Sequence, residues 1–232
     1  MTVTAENGAA KTTTRKRAAA TKSEDPTADS MLVIERIQTT RVLVPVVGTA
    51  PLIMHAWSQK AKQQMLDATQ GKKKAREPKD PEQDFKDSLY HTRDGGYGMP
   101  SLGFKASIVS GARFFRGATM VQIKQALRIS GVRSADASGA VLLTPVTGEP
   151  TMREDCVRVG MGGTDLRYRG EFAEWTATLD LTFVNTMLSI DSVLALVDAG
   201  GGWVGIGEWR PEKSGANGTY TLDPKRDPQI VQ

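Results

Sequence analysis

The stretch from Thr176 to Leu222 limits the fold more than any other part of the sequence. It opens with "TATLDLTFV" (Thr176–Val184), whose alternation of apolar and polar residues is that of a half-buried strand. "SIDSVLALVDAGG" follows, with Ser189 placed as an N-cap, apolar residues at helical spacing, and Gly200–Gly202 standing where a helix stops. "WVGIG" and "GTYTL" then read as two last strands around a glycine-framed loop, "VGIGEWRPEKSG". One helix among short strands does not make a bundle.

Upstream, "IQTTRVLVPVVG" within Met31–Val47 is β-branched and alternating, a strand with Pro45 near an edge or a bulge. Trp57, Ala61, Met65 and Ala68 recur at helical spacing before Gly71. Asp80, Pro81 and Gln83 form an N-cap, first-turn proline and capping glutamine for a short helix running to Tyr90. A helix from Ser101 to about residue 115, a second in "MVQIKQALRI", and strands at Val141–Leu143 and Cys156–Val159 complete the series. Strands outnumber helices and show no long βαβ alternation, so the chain is expected to be α+β, a mainly antiparallel sheet with packed helices. A ferredoxin-like, RRM-like core with insertions is the simplest version.

Residues 1–30 are rich in Thr, Ala, Lys and Arg with few large apolar side chains, and are expected to form a disordered basic tail. Its Arg15–Arg17 run serves as a nucleic-acid contact or as a solubilising arm. Residues 31–222 are expected to form one domain, and 223–232 a loose tail. Cys156 is the only cysteine, so a disulfide within the chain is excluded and a reducing cytoplasm fits. No apolar run approaches the ~20 residues of a membrane helix, and no secretory leader is expected. No metal and no cofactor is expected: Asp80, Glu82 and Asp84 read as a helix start, and no P-loop or serine elbow is present.

The net charge is only +4, but its distribution is uneven. From Gly95 to Ala135 there is no Asp or Glu, while Lys105, Arg113, Arg116, Lys124, Arg128 and Arg133 all occur. On a helix, Lys105, Arg113 and Arg116 would form a basic stripe over Phe104, Ile108 and Phe115, suited to phosphates or else a solvated face with acids elsewhere. A second basic group is Lys72, Lys73 and Lys74. A third surrounds "VGMGGTDLRYRG", a hairpin with Gly162 and Gly163 at its turn, where Arg167 and Arg169 share one face and Tyr168 the other. In the glycine-framed loop, Trp209 beside Arg210 offers a stacking plane next to a charge, or a packed turn if Trp209 is core. Trp203, next to three glycines, reads as core. His55 and His91 are the only histidines, so any histidine acid–base chemistry must use one of them.

"YGMPSLGFKASIVSGAR" and "GIGEWRPEKSGANGTY" together resemble the RAMP superfamily, the RRM-like RNA-binding proteins of CRISPR complexes. Pro100, Phe104, Lys105, Ala112 and Arg113 match its proline-led helix, and Gly205, Gly207, Gly215 and Gly218 its terminal glycine-rich loop. "GF" replaces the small pair before the lysine, and Trp209, Arg210 and Pro211 interrupt the loop. The whole chain also resembles bacteriophage and prophage proteins, which implies a role in phage nucleic-acid metabolism in the cytoplasm of a bacterial host.

The expected function is non-catalytic binding of single-stranded RNA or DNA on an RRM-like sheet, by a homo-oligomer along the strand. Lys105, Arg113, Arg116, Arg167 and Arg169 would hold the backbone, with Trp209 and Tyr168 stacking on bases. Two alternatives are a histidine-dependent endoribonuclease and a virion structural or assembly protein.

Overall fold

The computed structural model describes residues 34–57, 59–71, 78–136, 141–159 and 163–231. The chain divides into Met1–Glu35 and a compact unit, Arg36–Gln232, which contains every described helix and strand. The tail expected over residues 1–30, Lys72, Lys73, Lys74 and the Gly162 turn lie outside the described residues. In chain order the elements are β1 (Thr39–Gly48), β2 (Leu52–Met54), α1 (Gln59–Thr69), α2 (Pro81–Asp87), β3 (Tyr97–Pro100) and α3 (Ser101–Gly111). Then come α4 (Met120–Ala126), β4 (Leu127–Ile129), β5 (Val132–Arg133), β6 (Leu142–Thr147), β7 (Pro150–Val159) and β8 (Gly163–Phe172). The last are β9 (Thr176–Val184), α5 (Ile190–Trp203), β10 (Tyr220–Leu222) and β11 (Gln229–Val231). No described helix is long and apolar enough to cross a membrane.

Alternation in β1 turns Val42, Val44 and Val46 to one side, and β9 sends Ala177, Leu179, Leu181 and Phe183 to the same side; all are buried. The two strands pair antiparallel from Thr39↔Val184 to Val47↔Thr176 and form the centre of an antiparallel sheet ordered β10-β1-β9-β6-β3. Taken with α3 and α5, strands β1, β6, β9 and β10 follow a β-α-β-β-α-β path with spatial order fourth, first, third, second. The fold is therefore α+β on a ferredoxin-like core. Two positions are shared: β4 and β6 both pair with β9, at opposite ends, and β10 and β11 both pair with β1. Within residues 223–232, expected to form a loose tail, Gln229–Val231 pair with β1, Arg41↔Val231 being the last pair.

α3 and α5 cover the apolar side of the sheet with Phe104, Ile108, Val193, Leu196 and Val197. Complete burial of a side chain such as Phe104 contributes about 1.5–3 kcal/mol. The other side carries Arg41, Thr178, Asp180 and Thr182; Arg41 meets Asp180 in a two-pronged pair, Nε–Oδ1 and Nη2–Oδ2 both 2.8 Å. β1 and β9 place no aromatic ring on that side, so the base-stacking surface expected of an RRM-like sheet is not built there.

Ser189 caps α5 as expected, its Oγ accepting from the Ser192 amide at 3.2 Å. The helix does not stop at Gly200–Gly202 but runs through them, and Gly200 and Gly201 are packing positions. A Cβ on Gly201 would lie 2.1 Å from the Tyr220 carbonyl oxygen, so α5 can approach β10 only without side chains there. The helix ends at Trp203 with Val204 as its C-cap, and Gly205, at φ +70°, is the left-handed residue that closes it.

A second, three-stranded sheet, β2-β8-β7, is inserted into this core. The expected hairpin is present as β7 and β8, paired from Pro150↔Phe172 to Val159↔Gly163. α2 starts where its cap signal lies, Asp80 accepting from the Gln83 amide at 3.2 Å, and Leu89, just beyond its end, packs over Gly170 of β8. The apolar face anticipated for α1 is not buried: Trp57 and Met65 are both more than half exposed.

Candidate nucleic-acid interface

The glycine-framed loop is a rigid structure held by main-chain hydrogen bonds. Ile206 N donates to Gly218 O at 2.9 Å, Gly218 N to Pro51 O at 2.7 Å, Glu208 N to Ile53 O at 3.1 Å and Asn217 N to Trp209 O at 3.0 Å. "WVGIG" is consequently no strand. Gly207 adopts φ +74°, and a Cβ there would lie 2.6 Å from Ile53 O, so only glycine fits. Trp209 itself takes φ +55°, an uncommon conformation for a bulky residue, and its side chain is neither core nor free, at 45% exposure. Arg210 is occupied: Nη1 donates to Gly207 O at 3.1 Å, and Nε and Nη2 to Glu212 Oε2 at 3.1 and 2.9 Å.

The loop and the three-stranded sheet bring charges together. Nδ1 of His55, the residue after β2, lies 3.5 Å from Glu208 Oε1. Glu208 is held below the usual carboxylate range, chiefly by His55; partial burial opposes this, and the charges of Arg169 and then Arg167 reinforce it. Burial first, then Glu208 and Asp136, raise the Tyr90 phenol, which keeps its proton. Arg169, expected at a nucleic-acid backbone, is only 2% exposed; its Nη1 lies 3.1 Å from Asp155 Oδ2, and its Nε has no partner among the described residues. Arg153 binds Asp155 at 2.9 Å and Glu171 at 3.0 Å, while Arg167 is half-buried with its Nε 3.8 Å from Asp165. Tyr168 is half-buried, its pKa raised by partial desolvation and then by the Glu154 carboxylate. A cavity of about 210 Å³ opens between the loop and α3, lined by His55, Tyr90, Ser107, Glu208, the Arg210–Glu212 ion pair and small or apolar residues.

The acid-free window behaves differently. α3 ends at Gly111, so the expected stripe is not one helix surface: Lys105 is half-buried on α3, Arg113 sits in a 3-10 turn (Ala112–Phe114), and Arg116 lies beyond it. Phe104 and Ile108 face the core, but Phe115 is 40% exposed and does not. Among the described residues, Lys105, Arg113 and Arg116 have no carboxylate within ion-pair distance. Between the two arginines lies what sequence reasoning missed. Phe114 packs on Trp203, centroids 6.3 Å apart at 48°, and both rings are more than half exposed. Trp203 continues the helical row of Leu196 and Gly200, which makes it look like core. It is the last residue of α5, however, and its ring rests on Phe114 instead. His91 is exposed and lies against Tyr97, with centroids 5.4 Å apart. Among the described residues no group of His, Cys, Asp and Glu could hold a metal.

No protein-family model and no curated protein matches the chain. Among solved structures it is similar to Cmr6 from Pyrococcus furiosus, at 7% identity over 81% of this chain and 100% of that one, with a TM-score of 0.41. It is also similar to a chain of the type III-B Cmr-beta complex bound to cognate target RNA. That match has 11% identity and a TM-score of 0.38, and covers 84% of this chain and 61% of that one. Both likenesses are distant ones.

Proposed function

We propose that the protein binds single-stranded nucleic acid, RNA or DNA, along the surface that runs from the Phe114–Trp203 pair to the glycine-framed loop. The observation that carries this reading is an exposed aromatic pair beside two arginines that no carboxylate among the described residues neutralises. Exposed rings offer planes on which any base stacks, and unpaired cations neutralise phosphates. Arg113, Arg116 and Lys105 supply the phosphate contacts, and Phe114, Trp203 and the half-exposed Trp209 the stacking planes. Arg169 and Arg210 are left out of the contact set, since the first is buried on Asp155 and the second is bound to Glu212. The role we propose for the protein is in phage nucleic-acid metabolism, with copies of it arrayed along the strand. Anisotropy titrations of a labelled oligonucleotide over a series of salt concentrations test this. A slope of log K on log salt near −0.7 per neutralised phosphate is expected, and no affinity at low salt for RNA or DNA would refute it.

A second reading, histidine-dependent RNA cleavage, has one observation in its favour: Glu208 lies where it can orient the His55 ring. Intact RNA after long incubation under binding conditions excludes it.

A further inference from the structure

We propose that the cavity beneath the glycine-framed loop takes one guanine base of the bound strand. This rests on the reading that the adjoining surface binds single strands. Trp203 is followed directly by Val204–Glu208, which line the cavity, so the stacking ring and the cavity belong to one continuous segment of chain. At about 210 Å³ the cavity is smaller than the clefts of ~300–1,000 Å³ that enclose drug-sized ligands, which suits a single ring system. Met99, Ala106, Val204 and Ile206 provide apolar walls for the faces of a ring.

The polar groups decide which base. Ionised Glu208 only accepts hydrogen bonds, and its main chain is fixed by the bond to Ile53 O. The Watson–Crick edge of guanine carries two neighbouring N–H donors, N1–H and the 2-amino group, which one carboxylate can accept side by side. Next to them is the O6 acceptor; Tyr90, whose hydroxyl is a donor, also lines the cavity, as does Arg210, which is left out of the phosphate contacts but keeps two of its five N–H groups beyond those bound to Gly207 O and Glu212. Adenine and cytosine set one donor beside a ring-nitrogen lone pair, and uracil sets its N3–H between two carbonyls, so each brings a repelled acceptor to Glu208. Base edges of single strands are commonly read in this way.

The test compares the full chain's affinity for a labelled eight-residue oligouridine with that for the same oligomer carrying one central guanine, adenine, cytosine or inosine. Guanine should bind tighter than the other bases by roughly 5- to 150-fold, the discrimination of a bidentate contact, and inosine, which lacks the 2-amino group, should lose most of that gain. E208Q should abolish the preference for guanine over the other bases. Because Glu208 also touches His55, A106L gives an independent check: it fills the cavity from an exposed helix position and should abolish the preference too. Equal affinity for all five oligomers, with salt-dependent binding intact, overturns the guanine site alone. A preference that survives A106L also overturns it. Absence of binding to every oligomer overturns both this site and the function it rests on.

Discussion

Gly111 of α3 and Gly200 of α5 meet where the two helices cross. A Cβ on Gly111 would lie 2.9 Å from Gly200 N, and one on Gly200 would lie 2.7 Å from Ser107 O. Ser107 fixes the same contact, its Oγ donating to Gly200 O at 2.7 Å and accepting from Tyr220 OH at 3.2 Å. Gly200→Ala should therefore destabilise the protein by about 1–3 kcal/mol in urea unfolding, although alanine is the better helix former. Gly202→Ala is the control. Nothing lies within 4 Å of its Cβ position, so it should be neutral or stabilising by up to about 1 kcal/mol.

If the Phe114–Trp203 pair is a stacking platform, truncating it should separate binding from stability. Trp203→Ala is expected to weaken oligonucleotide binding by about 1–3 kcal/mol and to leave the melting temperature nearly unchanged, since the ring is 69% exposed. Arg113→Ala and Arg116→Ala should each reduce the salt slope by about 0.7. A Trp203→Ala protein that melts far earlier but binds normally would make the ring a packing element.

Arg210 looks from the sequence like a phosphate contact whose loss would not move the melting temperature. Its bonds to Gly207 O and Glu212 give the opposite expectation. Arg210→Ala should lower stability by about 1.5–3 kcal/mol, the range for hydrogen bonds to a charged group, and should change the salt slope little. Thermal melts and anisotropy on the same preparation decide it.

Glu208 makes stability depend on pH. Its folded-state pKa lies below its unfolded value of about 4.3. The stabilisation it gives is complete above the unfolded value and disappears as pH falls through the folded one. With its side chain 44% exposed the effect is small. Between pH 6 and pH 3, Glu208→Gln should lose slightly less stability than the natural protein, measured as melting temperature against pH.

Local signals are legible in the sequence and long-range ones are not. Asp80 and Ser189 cap the helices they mark, because a cap is settled within three residues. The alternation in β9 gives its buried face directly. By contrast, glycines that stop a helix and glycines that let two helices touch look identical in sequence. Gly200–Gly202 therefore read as an end, when the glycine that closes the helix is Gly205. Arg169 cannot be recognised as buried without knowing that its partner, Asp155, lies across the β7–β8 register. Nor does the polar stretch after Leu222 reveal β11, which β1 recruits through main-chain pairing and not through apolar side chains. At the candidate site the basic window is visible. Which of its cations lack acids, and which rings stay outside, depends on the tertiary fold.

β1 pairs with β9, β10 and β11, all drawn from the far end of the chain. During synthesis that strand leaves the ribosome long before any of its partners exists. Until then its row of valines has only transient companions, and chaperones or neighbouring nascent chains have access to it. Such distant pairings also make the search for the native topology slow, because a large loop must close before the sheet gains anything. Assembly of this protein is thus a late, nearly all-at-once event, and truncation near the carboxyl end would strike the first strand made as well as the last.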